Sequence, residues 1–197
     1  MADRDRRERI LRTAGALFVV RGVAGTTIRQ IASEMSMSSG TIYYYYPSKE
    51  SIASAILHRF LDELLAEYEQ QGLDIDEVRP DELFRRLIRT SMEIASRHPN
   101  ATEIYSNESS ALSILPDHDE IAAKTARARN HWRRILTAGR ESGAFRSDVA
   151  AEHVREVINH LTWASVRWNR AQLETDHRRI ADELVSILLD GYLRRAG

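Results

Sequence analysis

The stretch TIRQIASEMSMSSGTIYYYYPSK, Thr27 to Lys49, decides the fold of this chain. It reads as two short helices joined by a tight turn. Thr27 is placed to cap the first helix, and Gln30 three residues on completes a capping box. Ile28, Ile31 and Ala32 then form a narrow apolar stripe of helical period. Glu34 to Ser36 carry the turn, and Ser38 caps the second helix. The first turn of that helix, Ser39, Gly40 and Thr41, is small enough for backbone N–H groups to approach a phosphate or a base edge. Tyr43 to Tyr46 follow without a break, so at least two phenols face outward on any helix. A phenol in that position can donate to a phosphate oxygen while its ring packs on a sugar. Pro47 stops the helix, and Ser48, Lys49 and Glu50 start the next. The expected DNA contacts are therefore Thr27, Arg29, Ser38, Ser39, Gly40, Thr41, Tyr43, Tyr44, Tyr45 and Lys49.

These residues resemble the DNA-binding segment of the TetR family of bacterial one-component repressors. The preceding RRERILRTAGALFVVRGVAGTT is similar to that family's first helix. Together the match covers about fifty residues and is more specific than a lone helix-turn-helix. Two positions depart from the family pattern. Ser36 stands where the family usually has Gly in the turn, which implies a strained or altered backbone there. Ser39 stands where many relatives carry Lys, which removes one charge from the DNA face.

Length and composition agree with a soluble regulator. The 197 residues can bury a sizeable core, and 29% charged with 43% hydrophobic residues is ordinary for a globular protein. There is no cysteine, which excludes disulfides and zinc–thiolate chemistry. MADRDRRERI at the start lacks the apolar stretch of a signal peptide, and no apolar run approaches a membrane span. A cytoplasmic protein with no membrane partner is expected. The net charge of −1 is unevenly distributed. Residues 1–50 hold eight Lys/Arg against five Asp/Glu, so the cationic surface lies at the N-terminus. Arg4, Arg6, Arg7, Arg9 and Arg12 are expected, as a cluster, to contact phosphates.

The chain as a whole reads as helix after helix, about nine in all, with four prolines and no segment alternating at period two. Helices are expected at 6–21, 27–35, 38–45, 49–69, 81–97, 102–115, 119–142, 149–170 and 176–194, with a loop over 72–80. The fold class is all-α. A three-helix helix-turn-helix domain occupies 1–47, and a helical effector and dimerisation domain occupies 48–197.

The last two helices carry apolar stripes, Val154, Val157, Ile158, Leu161 and Trp168 on one, Ile180, Leu184, Ile187, Leu188 and Tyr192 on the other. A monomer could bury both. The TetR resemblance implies instead that they pair with their symmetry mates in a four-helix bundle. A single short recognition helix also needs two half-sites. Val157, Leu161, Trp168, Leu184, Ile187 and Leu188 are the expected dimer contacts.

No catalytic motif or nucleophile–base arrangement occurs, and the seven histidines are scattered with no i, i+4 pair, so neither catalysis nor a metal or cofactor is expected. Polar residues do interrupt apolar faces: Asn107 and Glu108 beside Ile104 and Tyr105, and Arg167 one turn from Trp163. Such groups line a pocket, pair in an interface or face solvent. FLDELLAEYEQ, HPNATEIYSNES and LTWASVRWNR are similar to segments of actinobacterial TetR regulators of steroid-ring breakdown, a group that senses acyl-CoA thioesters. That resemblance implies a small apolar effector, an acyl-CoA among the candidates, held near Phe60, Leu64, Tyr105, Asn107, Glu108, Trp132, Trp163 and Arg167. It also implies that Arg127, Arg129, Arg133 and Arg134 take the carrier's phosphates. Two other readings stay open: a DNA-binding dimer without effector, and a helical carrier or enzyme for an apolar thioester.

Overall fold

The computed structural model describes residues 2–71, 78–107, 111–168 and 170–192. Nine α-helices and one short 3₁₀ turn account for nearly all of them, and no strand occurs among the described residues. The helices are α1 (Ala2–Arg21), α2 (Ile28–Glu34), α3 (Ser39–Tyr45), α4 (Lys49–Gln70), α5 (Pro80–Arg97), α6 (Pro99–Asn107), α7 (His118–Glu141), α8 (Ala151–Trp168) and α9 (Arg170–Tyr192).

Two compact units form. The first comprises residues 1–61 and 100–122, the second 62–99 and 123–197. The N-terminal unit is organised on Ile10, Ala14 and Phe18 of α1, spaced at i, i+4 and i+8 so that all three share the buried face. Gly22 ends α1 in the left-handed region, φ +71, where its lack of a Cβ removes the steric penalty. Ile31, Ala32 and Ile42 from the two short helices, and Ile52, Ala53 and Leu57 of α4, are all buried in this unit.

In the second unit α5 packs chiefly on α9 and also on α8. Leu83, Leu87, Ile94 of α5 and Ala181, Val185, Leu189 of α9 are fully buried or nearly so. Phe84 meets Trp132 and Phe145 edge to face at centroid distances of 5.6 and 5.9 Å. Gly139 on α7 lies directly under the Phe145 ring, where a Cβ would stand only 2.0 Å from a ring carbon.

Several boundaries differ from the sequence reading. The segment expected as one helix over 102–115 starts earlier, at Pro99, and ends at Asn107; Ala111–Ile114 is a 3₁₀ turn. Proline is favoured in a first helical turn because its missing N–H would be unpaired there anyway. Near the other end the Ser106 hydroxyl bonds back to the Glu103 carbonyl, competing with helix continuation. Pro80 likewise opens α5 rather than closing a loop. The expected start of the last helix at Asp176 falls on a kink, with Asp176 at φ −146 and ψ 33, and residues 170–175 before it are also helical. Most of the loop expected over 72–80, together with Glu108 and residues 193–194, lies outside the described residues.

Candidate functional site

The local chemistry of the helix-turn-helix follows its sequence closely. The Thr27 hydroxyl accepts the Gln30 N–H at 3.2 Å, and the Gln30 side-chain oxygen accepts the Thr27 N–H at 2.9 Å, so the capping box is closed. Ser38 Oγ accepts the Thr41 N–H at 3.2 Å and lies 3.0 Å from the Thr41 hydroxyl. The turn itself is held by the Ser36 and Met37 amides donating to the Ser33 and Ala32 carbonyls. Ser36 sits in the left-handed region at φ +53, the strain that its departure from Gly predicted.

The tyrosine run divides in two. Tyr43 and Tyr44 are exposed, at 54% and 80% of their surface, whereas Tyr45 and Tyr46 are each only 9% exposed. Tyr45 is thus a core residue and not a surface contact, correcting its place among the expected DNA contacts. Its hydroxyl accepts a long hydrogen bond, 3.5 Å, from Arg6, and its ring lies beneath Arg7. The physical reason is angular: successive helical residues point about 100° apart, so four in a row cannot share one face. Arg29 and Gly40 are exposed, and Ser39 and Thr41 are half-buried. Lys49 spends its ammonium internally, donating to the Ala24 carbonyl at 2.7 Å, so it braces the loop after α1. No acid lies on α3.

The expected effector residues fall in both units. Phe60 and Tyr105 pack together in the first unit, their rings 5.5 Å apart. Leu64, Trp132, Trp163 and Arg167 belong to the second. There Trp132 donates its indole N–H to the Tyr68 hydroxyl at 3.3 Å, and Tyr68 lies 2.6 Å from Ser91 Oγ. Ser91 in turn donates to the Leu87 carbonyl at 2.7 Å, so Tyr68 must be the donor to Ser91. This buried chain of hydrogen bonds, indole to phenol to hydroxyl to carbonyl, was not anticipated. Its signal was present in Tyr68 and Ser91, two polar residues at core positions. Trp163 is buried and donates to Asn159 one turn earlier at 2.8 Å, whereas Arg167, one turn later, is exposed. The Asn107 side chain and all of Glu108 lie outside the described residues. On α7, Arg129, Arg133 and Arg134 are exposed, while Arg127 pairs with Glu69 at 2.6 Å. The neighbouring His131 is held below its ordinary pKa by burial, which outweighs the Glu69 charge. Among the described residues no group of histidines and carboxylates is arranged for a metal ion.

The apolar stripes of the last two helices also divide. Val154 and Ile158 of α8 and Ile180 of α9 face the interior. Val157, Trp168 and Ile187 are 51%, 72% and 66% exposed, and Leu161, Leu184 and Leu188 are half-buried beside them. Positions 157, 161 and 168 fall at i, i+4 and i+11, one face of a helix. The side chain of Tyr192 lies outside the described residues.

A capped helix-turn-helix in a cationic N-terminal segment, with helices following it, is the arrangement of a DNA-binding transcription regulator. Comparison with known proteins agrees. Residues 10–56 match the model of bacterial regulatory proteins of the tetR family, and residues 77–192 match that of the tetracyclin repressor-like C-terminal domain. The chain belongs to the tetR family. It is 32% identical to the HTH-type transcriptional repressor KstR2 of Mycolicibacterium smegmatis over 98% of this chain and 93% of that one. A solved structure of the ketosteroid transcriptional regulator KstR2 of Mycobacterium tuberculosis superimposes with a TM-score of 0.84 at 32% identity, covering 96% of each chain. AibR, solved in complex with isovaleryl coenzyme A and operator DNA, shares the fold, with a TM-score of 0.76 at 20% identity over 93% of this chain and 98% of that one. These relatives are regulators, and the carrier or enzyme reading falls. Among the described residues no helix is long and apolar enough to cross a membrane.

Proposed function

We propose that the protein is a homodimeric repressor in which residues 1–47 hold operator DNA and residues 48–197 dimerise and bind an apolar effector that releases it. The observation that carries the DNA half is the outward pair Tyr43 and Tyr44 on a short, capped, acid-free helix. Phenols there donate to phosphates and set the register of α3 in the groove, while Thr41 and Gly40 stand nearest the base edges. Thr27, Arg29, Ser38 and Ser39 complete the contact surface. Such a regulator acts where the chromosome is, which places it in the cytoplasm.

The effector reading is an acyl-CoA with a bulky apolar acyl group. It is supported by the similarity to the ketosteroid transcriptional regulator KstR2 and by the isovaleryl coenzyme A bound to AibR, whose fold is shared. The exposed Arg129, Arg133 and Arg134 are suited to the carrier's phosphates, and Trp163 reports filling of the acyl site. Ligand must bind one of two DNA-affinity states more tightly to release the operator. α4 supplies a covalent route for that coupling, because it runs from the first unit into the second.

Two measurements test the reading. Tyr43→Phe weakens binding to specific and scrambled duplexes alike, whereas Thr41→Ala changes base preference, by about 1–3 kcal/mol if it reads an edge. Unchanged binding in both variants removes α3 from the DNA. Titrating acyl-CoAs, free fatty acids and steroid acids against a preformed protein–DNA complex decides the effector. Release by the thioesters, lost in Trp163→Ala at unchanged operator affinity, is the expected result. Release by free acids but not by their CoA esters replaces the thioester with a simple apolar acid.

A further inference from the structure

The N-terminal arginines divide in a way that composition does not show. The Arg7 guanidinium lies over two aromatic rings, 5.4 Å from the centroid of Tyr45 and 6.0 Å from that of Tyr46. Both distances are within the range in which a cation is attracted to a ring face. Tyr45 is the last residue of α3, and Tyr46 is its C-cap, with its N–H donated to the Ile42 carbonyl. The Tyr45 hydroxyl is also the acceptor for Arg6. The Tyr44 ring then stands at 88° to that of Tyr45, with centroids 5.0 Å apart. A continuous stack runs from the Arg7 cation, through the buried Tyr45 ring, to the exposed Tyr44 phenol.

We propose that Arg7 is a positioning residue for DNA recognition, which clamps the C-terminal end of α3 through Tyr45 and Tyr46 and thereby orients Tyr44 toward the DNA backbone. The clamp rests on the reading that α3 contacts DNA. It assigns Arg7 a different task from a phosphate-contacting arginine. The Tyr46 phenol is pushed up by burial, with the Arg7 charge and hydrogen bond acting against that rise, which agrees with a cation held close to this ring. Asp3 lies 3.8 Å from Arg7 one turn earlier and shares the cation without removing it from the rings. Arg7 remains half-exposed, so truncating it leaves no buried cavity in the domain. A phosphate contact contributes Coulomb attraction that salt weakens; a clamp contributes geometry, which salt leaves in place.

The full-length protein and a labelled duplex enriched from a random-sequence pool by the wild type separate the two roles. Affinity is read by fluorescence anisotropy over a range of salt concentrations, with thermal melting of every variant as a control for folding. Arg7→Gln is expected to bind about five- to thirtyfold more weakly, the effect of losing one exposed-site clamp in each protomer of a dimer. Its slope of log affinity against log salt stays close to that of the wild type. Loss of one phosphate contact per protomer would instead reduce the slope by about 0.9 for each contact. Tyr45→Leu removes the ring without altering charge and reproduces the Arg7→Gln loss, and the double variant is no weaker than either alone. Tyr45→Phe, which keeps the ring, binds nearly as the wild type. A reduced slope in Arg7→Gln, or an additive loss in the double variant, overturns the clamp. Tyr44→Ala keeps the two hypotheses distinct: if it binds as tightly as the wild type, α3 does not present Tyr44 to DNA and the underlying reading fails first. If Tyr44→Ala weakens binding while Arg7→Gln does not, only the clamp is lost.

Discussion

Ser36 shows how one residue can carry both a fold signature and its cost. It holds the helix-turn-helix bend at φ +53, where an L-residue pays a Cβ clash of about 1–2 kcal/mol and glycine does not. Part of the gain from replacing it is lost to the greater unfolded-state freedom of glycine, about 0.5–1 kcal/mol. Ser36→Gly is therefore expected to stabilise the protein by about 0.5–1 kcal/mol without altering operator affinity, read by urea denaturation and anisotropy. A lower melting temperature would show that the serine side chain supports the turn. The tyrosines teach a complementary lesson. That at least two of four would face outward followed from helical geometry, but which two depended on where α1 lies. Tyr45 was legible as aromatic and polar, and its role in the core was not.

At the scale of elements, ion pairs tie helix ends to neighbouring helices within the second unit. Within the second unit, Asp62 pairs with Lys124 at 2.6 Å, and Glu63 meets His98 at 2.5 Å and Arg97 beside it. Burial alone would push the Glu63 carboxyl up; the hydrogen bond and charge of His98, with Arg97, more than offset it, and its pKa lies below the ordinary 4.5. A carboxyl lowered in the folded state stabilises fully above its unfolded pKa and loses that contribution as pH falls through the folded one. Glu63→Gln is thus expected to be less stable than the wild type at pH 7, with the gap closing as pH drops below about 4.5. Denaturation midpoints between pH 7 and 3 check it, and a constant gap would remove Glu63 from acid sensitivity. Element ends were legible wherever one strong local signal acted, as at Gly22, Ser38 and Pro47. They were missed where two competed, as between Pro99 and Ser106.

At the scale of the molecule, the exposed face of α8 and α9 carries Val157, Trp168 and Ile187, large apolar residues a single chain leaves in water. The proposed dimer covers them. Ile187→Arg is a clean probe, since Ile187 is 66% exposed in the chain and its substitution leaves the core intact. The variant is expected to sediment as a folded monomer and to lose operator binding by a hundredfold or more, because one recognition helix cannot reach two half-sites. A folded, DNA-binding dimer would locate the interface elsewhere. Inside the same unit, Gly139 can take no side chain under Phe145, and Gly139→Ala is expected to cost about 1–3 kcal/mol from overpacking. Thermal melting reads this directly.

The sequence by itself determined the all-α class, the capping box at Thr27, the turn at Ser36, the cap at Ser38 and the cationic N-terminal segment. Each depends on contacts within a few residues, where backbone geometry leaves little choice. Tertiary structure alone decided which tyrosines face out, that Lys49 braces Ala24, that Trp132, Tyr68 and Ser91 share one hydrogen-bond chain, and that Arg7 lies over the rings of Tyr45 and Tyr46 at the end of α3. The hydrogen-bonded pairs among them are separated by 23 to 64 residues in the chain. Whether such side chains meet depends on how helices pack, and helical periodicity specifies a buried face without specifying what covers it.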